Sequence, residues 1–269
     1  MEIIAPDIKS HFFVETDAGR PLSRTVITTL DWCATMGHVV TDRNLTLTIT
    51  SQLPVGSHLG SGAAASVAVE RAVAQWCGVD LPPDAASALA FEIEKIHHGT
   101  PSGIDNSVIA YEQPIWYVKD FPVQPISAAS QTDQLLSRLL IADVGFSTPT
   151  KYTVALVRAG YRANVARYES YFDTIGAICA EVRVALLAEK WDVLGRCMNS
   201  NHEMLQELDV SCRELDALCQ TARNSGALGA KLSGGGRGGN IIVLAQDKQH
   251  AETLCAVLLN AGAEQVFRG

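Results

Sequence analysis

The chain has 269 residues, enough for one large domain or two modest ones. Apolar residues make up 47% and charged residues 19%, which excludes a disordered or fibrous protein. The net charge of −8 argues against a broad nucleic-acid surface, since a phosphate backbone needs a basic face, but leaves room for a small phosphate ligand cradled by backbone amides.

In chain order, Glu2 to Thr16 reads as short strands broken at Pro6, and Ser23 as the cap of a helix over 24–36 closed by Gly37. Residues 44–50 alternate, with Leu45, Leu47 and Ile49 on one face and Thr46, Thr48 and Thr50 on the other, as in a half-buried strand. A turn-rich loop over 51–61 leads into an Ala-rich helix over 63–76 stopped at Gly78. Asp84 reads as the cap of a second helix that runs to Gly99. A Gly/Pro loop over 100–103 follows, and 115–118 is strand-like. The stretch 121–134, rich in Pro, Ser, Ala and Gln, is the expected boundary between lobes at 1–130 and 131–269. Beyond it come a strand at 139–143 and helices over 149–187 (broken near Asn164 or Gly176), 191–207 and 212–225. Strands at 230–233 and 240–245, a helix to Asn260 and a strand at 265–267 complete the chain. Without a steady βαβ rhythm, the expected class is α+β in two lobes.

The seven cysteines (Cys33, Cys77, Cys179, Cys197, Cys212, Cys219, Cys255) form no Cys-x-x-Cys pair and read as buried free thiols of a reducing cytoplasm. The start, Met1-Glu2-Ile3-Ile4, carries no signal-peptide pattern, and no apolar run reaches the roughly 18–20 residues of a membrane span. The expectation is a cytoplasmic protein with neither membrane nor nucleic-acid partner.

Three loops carry chemistry. In the first, Pro54-Val55-Gly56-Ser57-His58-Leu59-Gly60-Ser61-Gly62-Ala63-Ala64, glycines join a strand to a helix start and turn N–H groups inward, which suits a polyphosphate; a tight packing turn is the alternative. In the second, Glu92 to Asn106, Glu94 near a helix end and Asp105 past a glycine turn can be aimed at one spot by a fold-back, as a metal ligand and a carboxylate near a hydroxyl. The alternative is a solvated helix face and a helix cap. Adjacent His97 and His98 point in different directions on a helix and read as hydrogen-bonding or surface residues. In the third, Lys231 to Asn240, five glycines among six residues read as close backbone approach to a ligand, with Arg237 placed to meet phosphate or carboxylate oxygens; a flexible hairpin tip is the alternative.

In this order the three loops resemble the GHMP family of small-molecule kinases. His98-Gly99-Thr100-Pro101-Ser102-Gly103-Ile104-Asp105-Asn106 is similar to its mevalonate kinase branch, as are Ser225 to Gly234 and Ile4-Ala5-Pro6-Asp7-Ile8. The resemblance implies a two-lobed GHMP kinase fold, α+β, with a truncated ribosomal-protein S5 domain 2-like N-terminal lobe and a ferredoxin-like C-terminal lobe. It implies ATP-dependent, Mg²⁺-assisted phosphorylation of mevalonate to 5-phosphomevalonate on the route to isoprenoids, in the cytoplasm, with a homodimer as a further expectation. Carried over by position, Asp105 is the catalytic base and Glu94 the Mg²⁺ ligand. Gly56, Leu59, Gly60, Ser61, Gly62 and Ala63 hold the nucleotide phosphates, and Ser102, Gly103, Thr150, Gly234 and Gly235 meet substrate.

The chain departs from the family pattern in three places. The opening Ala-Pro-Gly-Lys and Gly-Glu-His motifs are missing, which implies that roughly 40–60 residues are absent, more than ordinary variation at a terminus. Gly62 stands where a serine commonly assists Mg²⁺. Arg237 replaces a common glycine. Two other readings stay open on these grounds: a sister kinase acting on another small alcohol or on phosphomevalonate, and a non-catalytic ligand-binding remnant.

Overall fold

Proline has no N–H to give a sheet, and β1 (Glu2–Ala5) stops in front of Pro6. A 3-10 turn over Pro6–Ile8 ends on left-handed Lys9, and β2 (Ser10–Phe13) returns antiparallel along β1. The structure, a computed structural model, describes residues 1–42, 44–51, 60–98, 101–126 and 129–269. They fall into two units, Met1–Pro125 and Ile126–Gly269.

In the first unit, α1 (Pro21–Thr35) is followed by β3 (Thr46–Thr48), which lies parallel to β1 and completes a sheet ordered β2-β1-β3. Only three residues of the expected 44–50 strand pair, because β1 itself ends at Ala5. The alternation still holds: Leu45, Leu47 and Ile49 pack on the core while Thr46 and Thr48 are exposed. Helices α2 (Ser61–Trp76), α3 (Pro83–His98) and α4 (Ile104–Tyr111) follow, then a small ribbon of β4 (Ile115–Trp116) and β5 (Gln124–Pro125). Ile3 and Phe12 of the sheet, Val26 and Cys33 of α1, Val67 and Val73 of α2 and Ala86 and Ala90 of α3 form one core.

Two helix starts differ from expectation for one reason. Pro21 and Pro83 each take the first helical position, where the missing N–H costs nothing and the fixed φ favours a helix. Ser23 and Asp84 therefore lie inside their helices and not at the caps. Ser23 is buried, and the Asp84 carboxylate accepts a hydrogen bond from the Tyr111 hydroxyl.

The second unit opens with α5 (Ala129–Leu136), which the Pro- and Gln-bearing boundary composition concealed. Strands β6 (Leu139–Asp143), β7 (Gly229–Ser233), β8 (Asn240–Leu244) and β9 (Gln265–Arg268) form an antiparallel sheet ordered β7-β8-β6-β9. Helices α6 (Thr150–Ala163), α7 (Val165–Leu187), α8 (Trp191–Glu207) and α9 (Arg213–Asn224) lie between β6 and β7, and α10 (Lys248–Asn260) between β8 and β9. Asn164 separates α6 from α7, and its side chain accepts the Arg167 N–H at 3.2 Å to cap the second helix. Leu140, Leu232, Ile241 and Val243 of the sheet pack with Leu215 and Leu218 of α9 and Leu254 and Leu258 of α10. Cys179 is exposed, whereas Cys33, Cys77, Cys197 and Cys219 are buried. Among the described residues no helix is long and apolar enough to cross a membrane.

β7 is an edge strand, and its outward polar groups are met by side chains. Asn199 of α8 accepts the Ala230 N–H at 3.0 Å, His202 Nδ1 of α8 accepts the Leu232 N–H at 3.2 Å, and Arg223 of α9 donates to the Ala230 carbonyl at 2.9 Å. The close approach of α8 depends on a glycine pair, since a Cβ on Gly195 would run into the Leu228 carbonyl and one on Gly229 into the Gly195 carbonyl. Gly195→Ala is expected to destabilise the protein by about 2 kcal/mol or more through overpacking, read as a lower urea midpoint; an unchanged midpoint counts against this contact.

Glu70 of α2 is fully buried, and neither carboxylate oxygen has a hydrogen-bond partner. Burial pushes its carboxyl up from the usual 4.5 to about 8, only partly opposed by neighbouring Arg71. A raised carboxyl stabilises the fold fully below about pH 4.5, and this contribution is lost as pH rises through about 8. Glu70→Gln is therefore expected to gain stability on wild type between pH 5 and pH 8, by at most about 4 kcal/mol. Urea denaturation at the two pH values measures it, and a constant difference between the proteins contradicts it.

Candidate active site

The site in the first unit starts from Gly60. It adopts the left-handed conformation (φ +71) that glycine tolerates, and so turns the chain into α2. The first-turn amides of α2, at Ser61, Gly62 and Ala63, have no carbonyl acceptor within their own helix, and the helix dipole adds partial positive charge there. Ala63 is buried and anchors this turn, while Gly62 is exposed. Gly56 and Leu59 lie outside the described residues.

Two carboxylates flank the turn. Glu94, on the last turn but one of α3, is 7% exposed, and its Oε1 lies 3.3 Å from where a Cβ on residue 62 would stand. Asp105, the second residue of α4, is exposed, and its Cγ lies 3.9 Å from where a Cβ on residue 60 would stand. The fold-back thus brings Glu94 and Asp105 against two glycines a single residue apart. A side chain at residue 60 would also press Ile109 Cδ1 at 3.3 Å.

α4 is fixed by polar contacts that sequence reading left without a role. Asn106, 3% exposed, donates through Nδ2 to the Ser87 carbonyl at 2.9 Å and to Ser87 Oγ at 3.0 Å. Ser107 donates to the Gly103 carbonyl at 2.6 Å and lies 3.0 Å from Ser87 Oγ. Ser102 Oγ accepts the Ile104 N–H at 3.3 Å, and Tyr117 donates its hydroxyl to the Ser102 carbonyl at 2.6 Å. The available signal was polar residues on the inward side of an otherwise apolar helix: Asn106 and Ser107 share the buried face of α4 with Ala110.

The second unit holds the other candidate residues. Gly234, Gly236, Gly238 and Gly239 all have positive φ, as does Arg237. The glycines answer mainly to protein neighbours: a Cβ on Gly235 would lie 2.8 Å from Thr150 Oγ1, one on Gly236 would strike the Val210 carbonyl, and one on Gly238 would meet the Phe146 carbonyl at 2.5 Å. Gly234 and Gly239 alone in this loop face open space. The structure therefore brings Thr150, at the start of α6, against Gly235. Arg237 was expected to meet phosphate or carboxylate oxygens, and the oxygens it meets belong to the protein itself. Its guanidinium donates to the Asp209 carboxylate at 2.5 Å and to the Asp209 carbonyl at 3.1 Å, and its N–H goes to the Val210 carbonyl at 2.8 Å. The positive charge is spent on holding the loop.

Residues 25–113 match the family model described as GHMP kinases N terminal domain, and residues 182–264 match GHMP kinases C terminal. A mevalonate kinase of Thermococcus sibiricus is 34% identical over 226 residues, covering 82% of this chain and 65% of that protein. A mevalonate kinase of Pyrococcus horikoshii is 30% identical over 263 residues, covering 95% of this chain and 76% of that protein. The chain spans less than two thirds of the length of the Thermococcus relatives it matches, 65% and 66%. The structure of L. major mevalonate kinase in complex with R-mevalonate superposes with a TM-score of 0.73 at 28% identity, covering 91% of this chain and 75% of that one. That of the Methanococcus jannaschii mevalonate kinase gives 0.80 at 21% identity, covering 99% and 83%, a likeness of fold. The architecture is the α+β GHMP kinase fold, and the chain belongs to the GHMP kinase family, on its mevalonate kinase branch.

Proposed function

We propose that this chain catalyses the ATP-dependent phosphorylation of mevalonate to 5-phosphomevalonate. The observation that carries the reading is the placement of Asp105 and Glu94 against Gly60 and Gly62, at the amide-rich start of α2. Phosphoryl transfer asks little covalent chemistry of a protein; it asks for positioning and charge stabilisation. The amides of Ser61, Gly62 and Ala63 receive the terminal phosphates. The Asp105 carboxylate takes the proton of the substrate hydroxyl as that oxygen bonds to the γ-phosphorus. The bond from this phosphorus to the β,γ-bridging oxygen breaks, and ADP leaves with the electron pair. Mevalonate and ATP thus yield the phosphate ester, ADP and one proton. Within the first unit, substrate contacts fall to Ser102 and Gly103, beside Asp105.

Glu94 fits a Mg²⁺ site. It is a nearly buried carboxylate beside the same helix start, and Mg²⁺ commonly takes one or two protein carboxylates together with phosphate oxygens and water. When bound, the ion neutralises charge on the β- and γ-phosphates. Gly62 adds no side-chain oxygen, so Glu94 is the principal protein ligand in this reading. A cytoplasmic setting and a homodimer belong to the same proposal.

Mevalonate-dependent ADP release, run against a panel of small alcohols and phosphomevalonate, tests the assignment. Wild type is expected to prefer mevalonate, and Asp105→Asn to lower kcat by about a hundredfold or more while nucleotide binding persists. Phosphorylation of another alcohol with mevalonate inert, or ATP binding without turnover, overturns it. Glu94→Gln is expected to raise the Mg²⁺ concentration needed for half-maximal nucleotide binding by about tenfold or more, in line with the loss of a principal metal ligand. Calorimetric titration of nucleotide at stepped Mg²⁺ reads this directly, and an unshifted requirement removes Glu94 from the metal site.

A further inference from the structure

We infer that Tyr117 is a positioning residue for Asp105. The inference rests on the phosphoryl-transfer reading above, in which Asp105 receives the substrate proton. Tyr117 follows β4 directly and is half-buried. Its hydroxyl donates to the Ser102 carbonyl at 2.6 Å. The same oxygen stands 2.5 Å from where a Cβ on residue 103 would be, with Phe91 Cε2 at 3.5 Å on that side. Gly103 is buried and left-handed (φ +84), and it is the residue that turns the chain into α4. Tyr117 therefore closes on the one residue there with no side chain and grips the carbonyl beside it.

Asp105 is two residues further on, in the first turn of α4. Its side chain is exposed. Its place beside Gly60 is set by how α4 begins. Two devices act on that beginning. Ser87, Asn106 and Ser107 tie α4 down from the α3 side. Tyr117 holds the turn at Ser102 and Gly103 through a neutral hydrogen bond made across 15 residues of sequence. Proximity effects are steep, and a displacement of about 1 Å in a reacting group can cost up to a hundredfold in rate. A single hydroxyl at this point can govern the reaction without touching substrate.

Tyr117→Phe keeps the ring over Gly103 and removes the grip. Amide hydrogen exchange is measured across residues 103–108, with residues 67–74 of α2 as internal reference, alongside mevalonate-dependent ADP release. The expected result is exchange about tenfold faster at 103–108, unchanged exchange at 67–74, kcat lowered about tenfold and KM for ATP within twofold. Unchanged exchange at 103–108 overturns the inference, whatever the turnover. Faster exchange with wild-type kcat also overturns it, since the bond is then only structural. If wild type itself shows no mevalonate-dependent turnover, the proposed function fails separately. The exchange comparison alone then decides whether Tyr117 fixes the turn before Asp105.

Discussion

The candidate site depends on the absence of two side chains. At residues 60 and 62 nothing stands between the backbone of the first α2 turn and the carboxylates of Asp105 and Glu94. An alanine at 62 would press on the Glu94 carboxyl group, and one at 60 would press on Ile109 and force a strained left-handed residue. The result is an unusual electrostatic neighbourhood. Amides with a partial positive charge lie beside two acids, one nearly buried and one open to solvent. In the proposed function this difference in exposure suits Glu94 to a shielded metal ligand and Asp105 to a proton acceptor open to substrate.

The second unit is built on a comparable economy. β7 ends its sheet, and an uncovered edge invites pairing with other chains. Here α8 and α9 supply Asn199, His202 and Arg223 to its backbone, and Gly195 against Gly229 lets α8 come close enough for them to reach. Burial holds the His202 imidazole below its ordinary pKa, which favours the neutral ring needed for Nδ1 to accept the Leu232 N–H. Edge protection and core packing are one arrangement in this unit.

Local signals were readable where a single residue decides the outcome. Pro6 ends β1, Asn164 divides two helices, and the alternation of Leu45, Leu47 and Ile49 identifies the buried face of β3. Errors arose where two signals competed. Ser23 and Asp84 are good caps, but a proline just upstream claimed the first helical position. Within the site, the order of the loops could be read, whereas the spacing of residues 94 and 105 alone could not say whether their carboxylates converge. That depends on Gly103 and on contacts from Ser87 and Tyr117, which are remote in sequence. The glycine loop misled in part. Its richness pointed to a ligand, but three of its glycines accommodate Thr150, Val210 and Phe146, and Arg237 is bound to Asp209.

That loop bears on how relatives of this chain are to be compared. Because Gly235, Gly236 and Gly238 are required by the protein's own architecture, selection for a folded second unit preserves them whether or not any reaction is performed. Gly234 and Gly239 face open space, but their positive φ also favours glycine, so a descendant that abandoned the chemistry would keep the whole stretch intact. Persistence of the glycine run is therefore no mark of a lineage that has kept its chemistry.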